Sequence, residues 1–469
     1  MTKSSIIQRL FAYFDDREYF HLLVKFTVPI ALQNLLMASL NLVAGVMIGQ
    51  LGESSVAAVG QANQILFLLN LVVFGVVSGA AMFLAQLWGR KDISNIRRVL
   101  GLTIKLSLLA AILFWALAIF LPKVVLGIYS NDPAVIRIGS DYLQIACWGY
   151  FFLVITAAYG VALRSIGNVR LPLIVSTSAL GFNIALAYPL IFGWQAIHLP
   201  AMGVKGAAIA GVLARALESM AMLWLVYRNR SNPLAATLGD IFGFDWKFLK
   251  ATMKPVLPVI ANEALWSFGI TAYFAIYGHI GNGTDAVAAI NIVGTIDQMA
   301  FVLFIGIGTA TAIIVGHAIG RGEPDKAFIY AGRSLCIQVV GAMLMGVLIF
   351  LFAGNIFQFY KVDPLVIDQA RKILTVMSLG MWIRASNHVI IIGILRSGGD
   401  SRFSLFLDGF IIWLVGVPVT AAGAFLLKLP IQYVYALTFS EECAKLIFGT
   451  WRYFSKKWIH NLADNVSEI

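Results

Sequence analysis

Long apolar runs, cut at regular intervals by short clusters of charge, glycine and proline, set the pattern of this chain. In the first half they fall near 28–50, 56–87, 99–121, 141–163, 171–193 and 204–227. In the second they fall near 256–279, 286–317, 330–353, 371–395, 403–426 and 430–451. Each is long enough to cross the ~30 Å hydrocarbon core as a helix. Helix is the expected form throughout, because an open strand edge in lipid leaves backbone groups unpaired. The pattern predicts an all-α membrane protein with twelve transmembrane helices.

Composition removes the soluble alternatives. Of 469 residues, 60% are hydrophobic and 12% charged, against roughly 25% charged in a soluble domain. The net charge of +11 would suggest a nucleic-acid partner if the basic residues shared a face. Instead, they follow the loops. Alternate loops on one side hold 23 Lys and Arg and those on the other hold 7, which places both termini on the cytoplasmic side. The charge is thus a topology signal, with no nucleic-acid partner. Residues 1–25 mix Asp15, Asp16 and Glu18 with aromatics and are expected to form a cytoplasmic lead-in helix, not a signal peptide. Cys147, Cys336 and Cys443 lie far apart in apolar stretches, so neither a disulfide frame nor a metal site is expected. The expected location is the inner cell membrane, and the expected state a monomer.

The chain also repeats itself. Lys25-x-x-x-Pro29 returns as Lys254-x-x-x-Pro258, and GQLGESSVAAVG from Gly49 returns as GHIGNGTDAVAAIN from Gly278. Gly89-Arg90 returns as Gly320-Arg321, and ALRSIGNVRLP around Arg164 returns as ILRSGGDSRFS around Arg396. Offsets that drift only from 229 to 232 mark a tandem duplication. With six spans each, the repeats enter the membrane from the same side and form two pseudo-symmetric six-helix lobes, a parallel repeat. The expected division is an N-terminal lobe over 1–227, a cytoplasmic surface linker over 228–253 and a C-terminal lobe over 254–469.

Several segments in order resemble the multidrug and toxic compound extrusion (MATE) family of bacterial type. They are MIGQLGESSVAAVGQANQ, LRSIGNVRLP, PVIANEALWSFG, IGIGTATAIIVGHAIGR, LRSGGDSRFSLFLD and EECAKLIFGTWRYFSKKWIHNL. The resemblance covers nearly the whole chain. It implies two lobes in a V shape, rocking about a central cavity, and export of amphipathic, cationic organic compounds in exchange for Na⁺ or H⁺. Acidic positions that many members carry in the first, fifth and tenth spans fall here on Ala44-Gly45, Ala187 and Ala385. The span-seven Glu matches as Glu263. The resemblance is therefore closest to branches with a cation site in the C-terminal lobe.

The residues point to the same lobe. No phosphate-binding loop and no HExxH helix are present, which leaves an ion gradient as the energy source and no cofactor beyond a coupling ion. Glu263 lies inside span seven, where an ionised carboxylate costs about 2.5–3.5 kcal/mol on insertion scales. Protonation, Na⁺ or a paired base must compensate it. Asp297 and Asp408 are the next candidates for the coupling site. Arg384 and His388, four apart on one helical face, are candidate counter-charges, with Arg384 set to meet Glu263 or Asp297. Asp408 has a second reading, as a helix cap or an ion pair to Arg402. By the repeat offsets, Glu263, Asp297, Asp408 and Arg384 correspond to Asn34, Leu66, Ser176 and Phe152, so the C-terminal lobe has the ionisable groups. Arg215 with Glu218, and Glu442 with Lys445, are three apart and expected to self-neutralise.

Gln33, Asn34, Asn41, Gln64 and Phe67 from the first two spans, with Trp266, Tyr273 and Tyr277 from the seventh, are candidates for the cargo cavity. Their aromatic faces suit organic cations. Pro29 and Pro258 are candidates for a gating bend, since each removes a backbone donor. A flippase for a lipid-linked precursor is the alternative function. It would need an Arg- and Lys-rich cavity, and the spans offer Lys105, Arg215 and Arg384. A membrane-embedded enzyme is not expected, since the six histidines form no metal-like pair.

Overall fold

The computed structural model describes residues 14–194, 198, 200–243, 245–280, 283–358 and 362–467. Long helices dominate, and no strand occurs among the described residues. In the first repeat they are α1 (Arg17–Gly49), α2 (Glu53–Arg90), α3 (Ile93–Phe120), a short α4 (Pro122–Gly127), α5 (Pro133–Ala146), α6 (Gly149–Ser165), α7 (Arg170–Phe192) and α8 (Val204–Arg228). A short α9 (Leu238–Phe242) precedes the second repeat. There follow α10 (Trp246–Tyr277), α11 (Gly283–Gly320), α12 (Pro324–Phe357), α13 (Pro364–Arg396), α14 (Ser401–Leu426) and α15 (Ile431–Phe454).

Ten of these helices are long and apolar enough to cross a membrane, and α5 with α6 makes an eleventh span bent by 51°. That bend modifies the single straight span expected over 141–163. The twelfth, α15, has the length but carries Glu441, Glu442 and Lys445 at its centre. The chain is a multi-pass membrane protein of twelve spans. Most of the expected lead-in helix lies outside the described residues, and α1 is already under way at Arg17.

The two repeats are punctuated by the same local chemistry. Asp132 caps α5 by accepting from the Ala134 N–H at 2.8 Å, with Pro133 next, where the missing donor costs nothing. Asp363 caps α13 by accepting from Leu365 at 2.8 Å, with Pro364 next. Gly167 and Gly399 end the equivalent helices α6 and α13 in the left-handed region, each at φ +85°, which only glycine adopts without strain.

By contact, the chain divides into two compact units. One takes the chain up to Ala31 together with Ala261–Asp464, and the other takes Leu32–Ile260 with the chain from Asn465 onward. Repeats and packed units are therefore different divisions of the chain. The start of α1 is packed into the unit of the second repeat. There Asp16 pairs with Arg333, and the hydroxyls of Tyr19 and Ser334 lie 2.7 Å apart. The start of α10 is packed into the unit of the first repeat. There a Cβ on Gly79 would come within 2.8 Å of Val256. Pro29 and Pro258 lie within continuous helices, each two residues before its helix passes from one unit to the other.

The expected surface linker is docked on α3. Arg97 donates to the Pro233 carbonyl at 3.0 Å, Lys105 to the Gly243 carbonyl at 3.0 Å, and Arg98 pairs with Asp245 at 3.4 Å. A Cβ on Gly101 would sit 2.7 Å from the Ile241 carbonyl oxygen, so backbone lies directly on backbone there. In the unit of the second repeat the core gathers Ile319, Ile390, Ile394, Leu407, Tyr453 and Trp458. Trp458 folds back beneath α15, and its indole N–H donates to the Tyr453 carbonyl at 3.0 Å.

Candidate functional site

Four stretches of the second repeat leave the regular α-helix and wind with i→i+5 bonds: Val389–Arg396 in α13, and Leu405–Phe410, Ile412–Gly416 and Ala422–Leu426 in α14. The first two carry the site. Each such turn rotates the following side chains to a new face, and π-turns cluster at functional sites. Arg396 ends the first stretch and Asp408 lies in the second. The equivalent parts of α6 and α7 are regular α-helix, so the two copies differ in backbone as well as in charge.

The π-wound segments bring α10, α13, α14 and α15 around a connected carboxylate network. Glu263 Oε1 meets Arg396 Nη2 at 2.7 Å, with the two side chains 11% and 3% exposed. Arg396 Nε also donates to Ser404 Oγ at 3.3 Å. Asp408 accepts from Lys445 Nζ at 3.1 Å and from Asn262 Nδ2 at 3.0 Å. Lys445 reaches Glu441 Oε1 at 3.5 Å. The other Glu441 oxygen, Oε2, is buried without a partner, as are Tyr273 Oη and Asn262 Oδ1. A Cβ on Gly416 would run into both Tyr273 Oη and Glu441 Oε2. Glycine is what that helix contact admits.

Nearby, Arg384 Nη1 pairs with Asp297 Oδ2 at 2.7 Å, and Glu442 Oε2 accepts from Asn387 Nδ2 at 2.6 Å. The interior of this unit thus holds Glu263, Asp297, Asp408, Glu441 and Glu442 against Arg384, Arg396 and Lys445. Five acids face three bases. Two carboxylates lack a cation of their own, and buried charge without compensation is strongly disfavoured.

Several sequence expectations change here. Asp408 takes Lys445 as its base, not Arg402, because the π-turn aims it at α15. Lys445 is neutralised by Asp408 and Glu441, not by Glu442. A spacing of four brings Glu441 under the lysine, and Glu442 points instead to α13. Of the two partners considered for Arg384, the structure selects Asp297. His388 meets no carboxylate among the described residues. Its ring packs edge-on against Phe301 at 5.5 Å and over Gly308, and its Nε2 is without a partner. Glu441 and Arg396 were missed by sequence reasoning. The adjacent pair Glu441-Glu442, one turn before Lys445, was the available signal for the first.

The expected cargo residues are divided between the two units. Tyr273 and Tyr277 are buried and stacked at 6.4 Å, while Trp266 is 38% exposed. In the other unit Gln64 and Phe67 are exposed and Asn34 half-buried. The Asn41 side chain lies outside the described residues. Gln33 lines a cavity of about 450 Å³ together with Asn70, Arg164, Asn183, Arg215 and Glu218. Gln33 Nε2 donates to Ser176 Oγ at 3.2 Å, and Ser176 Oγ donates to Glu218 Oε1 at 2.6 Å. Arg215 and Glu218 form no ion pair, contrary to the spacing argument, because Glu218 turns to Ser176. The duplication persists at this level: Gln33 and Ser176 stand where Asn262 and Asp408 stand in the second repeat, and both pairs are hydrogen-bonded.

Comparison with known proteins joins the two copies to a family. The MatE family profile matches residues 29–189 and 258–422, one match per repeat, each beginning at the conspicuous proline. The chain is 28% identical over 444 residues to the probable multidrug resistance protein YoeA of Bacillus subtilis, covering 92% of this chain and 93% of that one. It is 23% identical over 398 residues to the probable multidrug resistance protein NorM of Thermotoga maritima, covering 85% and 84%. Among solved structures, a MATE protein in complex with MaL6 superposes with a TM-score of 0.83 at 19% identity, over 93% of this chain and 96% of that one. The eukaryotic MATE transporter AtDTX14 superposes with a TM-score of 0.82 at 17% identity, over 96% and 99%. With both halves matched in order and the twelve-span fold shared, the chain belongs to the MatE family of membrane transporters and is not an enzyme.

Proposed function

We propose that this protein is a secondary antiporter of the inner cell membrane, with both termini cytoplasmic. It exports amphipathic organic compounds in exchange for H⁺ or Na⁺ and acts as a monomer. The relatives named as multidrug resistance proteins support export as the direction. The observation that carries the coupling is the excess of five carboxylates over three bases inside the C-terminal unit. That excess can be balanced by a proton or cation taken from the gradient.

The coupling residues are Glu263, Asp297 and Asp408, with Glu441 added because its Oε2 is buried without a partner and its Oε1 meets Lys445 only at 3.5 Å. Each of the first three already faces a base. Uptake therefore works by releasing that base: a protonated Asp408 no longer holds Lys445, which then turns wholly to Glu441. A proton needs only one oxygen, and Glu441 Oε2 is buried without a partner, which favours H⁺ over Na⁺ as the coupling ion. Arg384 acts through Asp297 alone.

The test is efflux from proteoliposomes under an imposed ΔpH or ΔpNa at clamped voltage. Glu441→Gln and Asp408→Asn are expected to abolish the ΔpH-driven rate while leaving downhill leak of cargo. Wild-type ΔpH-driven rates in both variants would remove the cluster from coupling.

A further inference from the structure

We propose that the N-terminal unit carries a site for the acidic head of an amphipathic organic anion, held by Arg164 and Arg215. Its use in transport rests on the export reading above; its binding does not.

Arg164 stands where Arg396 stands in the second repeat, at an offset of 232. Arg396 is neutralised by Glu263, but the first repeat has Asn34 at the Glu263 position. Arg164 has kept its charge where the carboxylate opposite is absent, and it forms no ion pair among the described residues. Arg215 has no basic counterpart at all. With Glu218 matched to Glu442 at an offset of 224, Arg215 falls on Phe439. It too forms no ion pair among the described residues. Glu218, the acid within reach by sequence, is bound to Ser176 Oγ at 2.6 Å.

These groups line two half-open cavities. The cavity of about 450 Å³ holds Arg164, Arg215 and Glu218, and a second of about 500 Å³ shares Leu66, Asn183 and Arg215 with it. Gly149, at the α5–α6 bend, lets Arg215 lie close, since a Cβ there would be 3.0 Å from its Cδ. Two guanidinium groups and one carboxylate leave a surplus of one positive charge, opposite in sign to the surplus in the C-terminal unit. A monoanion cancels it, whereas an organic cation is repelled. Guanidinium forks fit carboxylate and phosphate oxygens in pairs. Met37, Leu153, Leu180 and Met222 on one side, with Tyr142 and Tyr150 on the other, accept an apolar body. Each volume is of drug size. The cationic cargo expected from family resemblance thus meets a basic wall in this unit.

The test uses the purified full chain and two probes with one aromatic body and opposite charge, 2-naphthoate and 2-naphthylmethylammonium, titrated by calorimetry. Naphthoate is expected to bind at least about tenfold more tightly, and Arg164→Gln and Arg215→Gln each to weaken it about tenfold, the scale of one charge-assisted hydrogen bond. Glu218→Gln, which raises the positive surplus, is expected to tighten naphthoate several-fold. This gain keeps the test decisive even if an arginine variant does not fold. Equal or stronger binding of the ammonium overturns the proposal, as does naphthoate affinity unmoved in all three variants. Competition by lysophosphatidate in nanodiscs assigns the head to a lipid phosphate, and its failure assigns it to a free organic anion. Binding is read without a gradient, so a failure of cation coupling leaves this result standing, and the converse holds too.

Discussion

Removing one member of the Glu263–Arg396 pair should damage the protein more than removing both. The side chains are 11% and 3% exposed, with 2.7 Å between Oε1 and Nη2. Breaking a buried pair by losing one partner typically costs about 3–5 kcal/mol, because the other charge stays buried and unpaired. Glu263→Gln and Arg396→Gln should each fall in that range. The double variant leaves two amides of similar length that can bond to each other, and should lose only about 1 kcal/mol. The resulting coupling energy is at least about 2 kcal/mol, well above the scatter for independent sites. Equilibrium unfolding in mixed dodecylmaltoside–SDS micelles measures all four proteins. Additive losses, with coupling under about 0.5 kcal/mol, would refute the pairing. The same variants separate scaffold from machinery. The double variant should regain stability and still fail at ΔpH-driven efflux; full efflux in it would make Glu263 a structural residue.

Three further outcomes follow from close contacts. Gly416→Ala drives a methyl group into Tyr273 Oη and Glu441 Oε2 and should cut ΔpH-driven efflux by about tenfold, while Gly354→Ala, with nothing within 4 Å, should be silent; equal rates would remove Gly416 from the argument. Gly206→Ala drives its Cβ into the Leu190 carbonyl oxygen and should cost about 1–3 kcal/mol by overpacking, read as a lower thermal midpoint than Gly211→Ala, which meets nothing within 4 Å. Gly101→Ala should lift the linker off α3, seen as faster amide exchange over 233–243 with exchange in α14 unchanged.

The architecture was legible because lipid leaves the chain few choices. Twelve apolar runs, loop charge and drifting repeat offsets all report the same constraint, that backbone polar groups must be satisfied within each span. Site chemistry was only partly legible. Glu263, Asp297 and Asp408 stand out as acids in apolar sequence, but their partners come from other helices at sequence distances of 133, 87 and 37 residues. Spacing rules favour partners on the same helix, so they matched Lys445 to Glu442 and Arg215 to Glu218. The π-turns were not legible either. Nothing in VIIIGILR or LFLDGF distinguishes an i→i+5 turn from an i→i+4 turn, and those turns choose which acid meets which base. Matching the repeats set Asn34 opposite Glu263, but that Arg164 thereby lacks an acid follows only from the Glu263–Arg396 pair, which spacing does not reveal.

The exchange of helix ends has a consequence for how this protein is made. The bundle of the first repeat needs residues as late as Ile260, and the other needs residues near Tyr19 together with those near Trp458. During synthesis the opening segment must therefore wait, unhoused, until almost the whole polypeptide has left the ribosome. A gene cut between the repeats should yield two fragments that mature only when made together, each supplying the strut that the other lacks.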